Sequence, residues 1–274
     1  MKPSTIVLIA AILTCGHGVT LAQWLRYPTA DVPRKADGSP NLCAPAPRLP
    51  DGRPDFSGIW QSARKIPCSP EFGKFVECGR EIGGLPLALN IGADLPGGLP
   101  YRLEVAALVK KRTAENSKDD PHARCLPDNP PRPYGLPHMT KALHTSRLLV
   151  LLNEVNAMYR QIFVDGRPLP ADPNPSWNGY SAAAWEGDTL VVQTIGFRDG
   201  LWLDMGGSPM SDSAKMTERF RRPNYGTLEI QITVDDPKNY TRSWTVEMPQ
   251  QITLDTELID EFCLENEKSS QRMR

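Results

Sequence analysis

The sequence predicts a mainly β protein: an antiparallel up-and-down barrel of about eight to nine strands, with a Pro-rich N-terminal arm and one short helix. Three observations predict it. From Leu148 to Cys263 short runs alternate apolar and polar residues, as in Leu228-Glu229-Ile230-Gln231-Ile232-Thr233-Val234, where every second residue is a branched aliphatic. A strand with one dry and one wet face requires that period. The runs are separated by turn chemistry, Glu186-Gly187-Asp188 reading as a tight hairpin and Asp235-Asp236-Pro237-Lys238-Asn239 as a longer one. Eight runs, plus one ending near Trp60, suit a closed barrel, which leaves no unpaired edge.

The elements follow in chain order. Lys2, the apolar stretch Ile6 to Leu13 and Thr20-Leu21-Ala22 before Gln23 read as an export signal over residues 1–22. That stretch is far shorter than the ~20 residues of a spanning helix, so no transmembrane segment is expected. Thr14 before Cys15 is larger than the Gly, Ala or Ser of a lipobox, which argues against a lipid anchor. Residues 23–140 are read as a wrapping arm. Pro28, Pro33, Pro40, Pro45, Pro47, Pro50 and Pro54 exclude helix and central strand from its first part. Within the arm, residues 55–61 read as a first strand with Phe56, Gly58 and Trp60 on one face, residues 63–100 as loop, and residues 101–116 as a helix with Leu103, Ala106, Ala107 and Val109 on its apolar stripe. The dense prolines from Pro127 to Pro133 lead into the barrel meander, residues 141–267. Its strands are placed at Arg147 to Asn153, Ala157 to Val164, Gly179 to Trp185, Thr189 to Phe197, Ala214 to Arg221, Thr227 to Asp235, Thr241 to Met248 and Glu257 to Cys263. Residues 268–274 are expected to be a disordered tail.

Composition narrows the function. With 274 residues and 40% hydrophobic content the chain can bury a real core. Its 31 basic and 32 acidic residues leave a formal charge of −1, so no global field favours nucleic acid or an anionic membrane, and no nucleic-acid partner is expected. Beyond the signal stand Cys43, Cys68, Cys78, Cys125 and Cys263, an odd number in a compartment where disulfides persist. Cys68 and Cys78 are close enough to staple a loop, and Cys125 is a candidate to tie the arm to Cys263. There is no CxxC motif and no Cys/His cluster with zinc-like spacing, so no metal is expected. The chain also has no Gly-x-Ser-x-Gly elbow, phosphate loop, dinucleotide fingerprint or His-Glu-x-x-His, and no cofactor is implied.

The candidate site residues come from strand parity. On the run Met216 to Arg221, Met216, Glu218 and Phe220 share one face, Thr217, Arg219 and Arg221 the other. If the Met216 face is inward, Glu218 sits inside the barrel and must be paired, because an uncompensated buried charge costs several kcal/mol. Arg160 is the candidate partner. Two readings follow: Glu218 as acid/base, with Arg160, Arg219 or His144 stabilising developing charge on an oxygen-bearing substrate, or a structural ion pair. Trp60, Tyr159, Trp177, Tyr180, Trp185, Trp202 and Trp244 supply flat walls for a small-molecule ligand. Asp204, on the Gly-rich Leu201 to Gly207 loop, and Arg219 complete the candidate contacts.

The segments Asp55-Phe56-Ser57-Gly58-Ile59-Trp60, Cys125-Leu126-Pro127, Asp165-Gly166-Arg167-Pro168, Trp185-Glu186-Gly187-Asp188-Thr189-Leu190-Val191-Val192, Thr217-Glu218-Arg219-Phe220, Asp235-Asp236-Pro237 and Cys263-Leu264-Glu265-Asn266 together resemble a family of exported soil-bacterial proteins without an established activity. The resemblance implies His where this chain has Met210 and Lys215, so any site those histidines form is altered here. Gly58-x-Trp60 followed by a meander is also similar to lipocalin or calycin barrels, which carry small apolar ligands. The expected function is therefore an exported barrel binding a small apolar or aromatic molecule in its interior. The alternatives are a lyase, isomerase or hydrolase using the same cavity, and a cell-envelope interaction protein docking through its arm and odd cysteine, Cys43.

Overall fold

The computed structural model describes residues 27–63 and 85–265. The expected signal, Cys68, Cys78 and the expected tail at 268–274 lie outside the described residues. In chain order the elements are β1 (Gly58–Ser62), α1 (Leu85–Leu89), α2 (Leu103–Ala114), β2 (Thr140–His144), β3 (Leu148–Asn153), β4 (Tyr159–Phe163), β5 (Tyr180–Glu186), β6 (Thr189–Ile195), β7 (Leu201–Trp202), β8 (Pro209–Met210), β9 (Lys215–Asn224), β10 (Thr227–Asp235), β11 (Trp244–Glu247) and β12 (Gln250–Ile252).

Nine strands close a barrel in the order β10-β12-β1-β2-β3-β4-β5-β6-β9, with β9 pairing back onto β10. β11 continues the β10 edge beyond β12, and β7 with β8 forms a separate two-stranded ribbon. The barrel is mixed, which corrects the antiparallel up-and-down expectation. β4 and β5 run parallel, Ile162 opposite Ser181 and Phe163 opposite Ala182. A parallel neighbour needs a crossover rather than a hairpin, and residues 164–179 supply one, kept out of regular structure by Pro168, Pro170, Pro173 and Pro175. β1 also closes the barrel by sitting between β2 and β12 rather than leading a meander.

Alternation sets the faces as expected. Met216, Glu218, Phe220 and Arg222 of β9 and Leu228, Ile230, Ile232 and Val234 of β10 are buried, and the residues between them are at least partly exposed. Each fully buried aliphatic here contributes about 1.5–3 kcal/mol relative to exposure. Leu149, Ile162, Leu190 and Val192 join the same core. Several assignments differ from expectation: α1 falls in the stretch read as loop, and the β7–β8 ribbon lies where no strand is expected. β2 was not anticipated, and Glu257 to Cys263 is irregular, its place in the barrel taken by β12. The C-terminal segment is held instead by Lys141–Glu257 at 2.5 Å, a bridge between Val155 and Glu261, and the Cys125–Cys263 disulfide. That disulfide is the pairing proposed from sequence, and Cys43 is free and exposed.

Both barrel ends are capped. At the end where β2 finishes, the arm packs down: Tyr225 and Gly226 donate backbone N–H to the Ala44 and Leu42 carbonyls, and Arg48 pairs with Asp188 at 2.8 Å. At this end Gly58 adopts φ +143°, a backbone that L side chains rarely take, and its bare Cα lies under the Trp60 indole. At the other end a 3₁₀ turn, Arg132–Gly135, inserts Tyr134, whose carbonyl accepts from Gln250 at 3.1 Å. α2 leans on the same end through Arg112, which donates to the Gly207 carbonyl at 2.6 Å.

Candidate functional site

Inside the barrel, β4 and β9 face each other across the core, and Arg160 meets Glu218. Nη1 donates to Oε1 at 2.8 Å and Nη2 to Oε2 at 2.5 Å, with Glu218 fully buried. Tyr134 donates its hydroxyl to Oε1 at 2.9 Å and accepts from Nη1 at 2.8 Å. Nη2 also reaches Thr194 Oγ1 at 2.9 Å, and Nε reaches Ser181 Oγ at 3.3 Å. Burial opposes the Arg160 charge, but Glu218 and Tyr134 outweigh it and raise the guanidinium pKa. Burial, reinforced by the Glu218 charge, lifts the Tyr134 phenol well above its ordinary value. All three guanidinium nitrogens already donate, so a substrate would have to displace a protein partner to reach Arg160. The arrangement suits an ion pair that joins two distant strands.

His144 lies at the arm end of the barrel. It stacks on Phe56 at 5.1 Å and on Trp185 at 6.0 Å, and its Nδ1 accepts the Phe56 backbone N–H at 3.2 Å. Burial pulls its pKa down, with Asp55 and Asp51 pulling the other way. A neutral ring with the proton on Nε2 leaves Nδ1 free to accept, and that Nε2 is buried without a hydrogen-bond partner among the described residues. Phe56 bridges to Phe220 at 6.1 Å, and Phe220 meets Tyr134 edge-on at 6.3 Å. One aromatic cluster therefore separates His144 from the Arg160–Glu218 pair. Trp60 belongs to the same end, its Nε1 donating to the Phe56 carbonyl at 2.9 Å and the Arg222 guanidinium 4.8 Å from its ring.

The other candidate residues do not converge on the interior. Arg219 points outward and pairs with Glu186 at 2.8 Å. Asp204 is buried beneath its loop and organises it, accepting from Ser208 N–H at 3.0 Å, Ser208 Oγ at 2.6 Å and the Ile91 N–H at 2.9 Å. Burial raises its pKa against those hydrogen bonds. Trp202 sits on the β7–β8 ribbon under Arg112, 4.3 Å away, and Trp244 packs edge-on against Tyr240 on β11's side of the molecule.

Tyr159 and Trp177 do come together, on the outer wall. Tyr159, Gln161 and Phe163 alternate with the inward Arg160 and Ile162, so their parity turns them outward, and Tyr159 is 62% exposed. They line a cleft of about 560 Å³ over the β4–β5 seam together with Trp177 and Asn178 of the crossover, Tyr180 at the start of β5, Asn156 to Met158 and Pro127. Phe163 and Tyr180 stack at 5.3 Å, and Asn178 donates to the Tyr159 carbonyl at 2.9 Å. Arg198 covers one face of Trp177 at 4.5 Å. Phe163, Gln161 and Asn178 were missed from sequence. The available signal was the strand parity that sets Tyr159, Gln161 and Phe163 on the face opposite Arg160.

No family model matches the chain, and no curated protein or solved structure matches it. What stands from the expected likenesses is the closed nine-strand β-barrel with buried aromatic clusters. Among the described residues no helix is long and apolar enough to cross a membrane, and no group of three or more His, Cys, Asp and Glu is arranged to hold a metal ion.

Proposed function

We propose that this is an exported protein that binds a small molecule with a flat apolar face, and that the ligand lies in the cleft over the β4–β5 seam rather than inside the barrel. The observation that carries the reading is the convergence of Tyr159, Phe163, Trp177 and Tyr180 on one cleft of about 560 Å³. That volume and that mix of rings with a few amides fit a small-molecule site. Among the described residues the inward positions carry packed aliphatics and the Arg160–Glu218–Tyr134 network instead. For the same reason Glu218 serves the fold rather than acid/base chemistry. The Cys125–Cys263 disulfide fits an oxidising compartment and so supports export.

Titration with the fluorescent dye 1-anilinonaphthalene-8-sulfonate tests the reading. Saturable binding weakened by both Tyr159→Ala and Trp177→Ala supports it. Binding indifferent to both variants refutes it.

A further inference from the structure

The cleft does not end at Trp177. Ser176 and Trp177 also line a second hollow of about 520 Å³ with Pro175, Arg198, Asp199 and Asp212. Pro175 and Asp212 in turn line a third, of about 430 Å³, which reaches Asp172, Gly196 and Lys215. The strand registers put all three at one rim. β5 runs parallel to β4, and β6 and β9 follow antiparallel, so the starts of β4, β5 and β9 and the end of β6 lie side by side. The crossover is anchored along this rim by Ser176, which donates N–H to the Gly196 carbonyl and accepts from the Arg198 N–H. Three inter-strand steps of about 4.8 Å make the path roughly 15 Å long.

Its chemistry changes along its length. The first section is aromatic, whereas the second and third carry the exposed carboxylates of Asp172, Asp199 and Asp212. These three negative charges are balanced by three positive ones: Arg198 over Trp177, Lys215 in the lining, and Lys238, which is 2.5 Å from Asp212. A charge-balanced groove gives no net attraction to a polycation or a polyanion. It does present acceptors and donors beside flat rings, in a path open to water. A chain with apolar ring faces and outward hydroxyl groups matches every part of that description.

We infer that the groove holds a neutral oligosaccharide, one sugar face stacked on the Tyr159–Trp177–Tyr180 platform and further units hydrogen-bonded along Asp199, Asp212 and Asp172. The inference rests on the cleft being the binding site.

Calorimetry with neutral glucan, xylan and chitin oligomers, from monosaccharide to hexasaccharide, tests it beside the anilinonaphthalene dye. Affinity for one series should rise with chain length and then level off. Trp177→Ala should weaken dye and sugar alike by about two- to tenfold, the range of a single aromatic contact. Asp199→Asn should weaken the longer oligomers only and leave the dye unaffected. Dye binding that needs Trp177 without binding of any oligomer, or with affinity independent of length, overturns the oligosaccharide while leaving the cleft intact. Failure of the dye as well removes the cleft reading itself.

Discussion

Arg160 and Glu218 form a two-pronged ion pair across the barrel, 2.8 and 2.5 Å between the paired atoms, with both side chains almost completely buried. The pair ties β4, at the parallel seam, to β9, at the centre of the longest antiparallel ladder. Its value lies in mutual dependence, since either charge left alone in the core is strongly unfavourable.

Removing one partner should therefore cost far more than removing both. Glu218→Gln or Arg160→Met alone is expected to destabilise the barrel by about 3–5 kcal/mol, and the double change to two apolar residues to recover much of the loss. Urea denaturation of the three variants checks this. Single and double variants equal in stability would contradict it.

The Cys125–Cys263 disulfide joins residues 138 apart in sequence and pins the C-terminal segment beside the β3–β4 turn, where Asn156 Oδ1 accepts the Cys263 N–H at 3.2 Å. Replacing both cysteines by serine should cost about 2–5 kcal/mol. The denaturation midpoint, with and without reductant, reads it directly, and reductant should lower the wild-type midpoint more than that of the double-serine variant.

His122 predicts a pH dependence. Its Nδ1 lies 2.8 Å from Asp128, and Arg132 is clamped between Asp128 and Asp120. The hydrogen bond to Asp128 raises the imidazole pKa, against burial and the Arg132 charge. A raised folded-state pKa contributes stability that is fully present below the unfolded value of about 6.5 and is lost as pH rises through the folded value. His144 has the opposite sign: its lowered pKa contributes stability above about 6.5 that is lost as pH falls. Denaturation midpoints measured across this range should lose their alkaline decline in His122→Gln. An unaltered profile in that variant would contradict the assignment.

Much of this architecture was readable in the chain, and the exceptions have physical causes. β9 and β10 are long, so parity groups Glu218 with Met216 and Phe220 and makes Arg160 a candidate partner, but β9 has polar residues on both faces, and it is the packing that turns the Glu218 face inward. β12 is three residues long and begins Gln250-Gln251, so its pairing with β1 and β10 comes from tertiary context rather than pattern. Glu257 to Cys263 alternates well enough to suggest a strand, but its side chains are used in local ties to Lys141 and Cys125. The parallel seam left a readable sign: residues 164–179 are too long and too rich in proline for a hairpin. Tyr159 and Trp177, candidate ligand contacts from sequence, stand on the outer wall because Tyr159 alternates with the inward Arg160 and Trp177 lies on the crossover.

Tyr159 separates binding from folding. Being largely exposed, it contributes little to the core, so Tyr159→Ala should leave the denaturation midpoint within about 0.5 kcal/mol of wild type while weakening dye binding by about two- to tenfold. A large loss of stability would instead make Tyr159 structural.

The most direct test of the cleft is photolabelling of the unmodified protein with an aryl-azide derivative of anilinonaphthalene sulfonate, followed by peptide mapping. Label is expected on the peptides carrying Tyr159–Phe163 and Trp177–Tyr180, which line the cleft. Label on Phe56, Trp60 or His144 at the capped end of the barrel, with none at the seam, would contradict the external site and return the ligand to the interior.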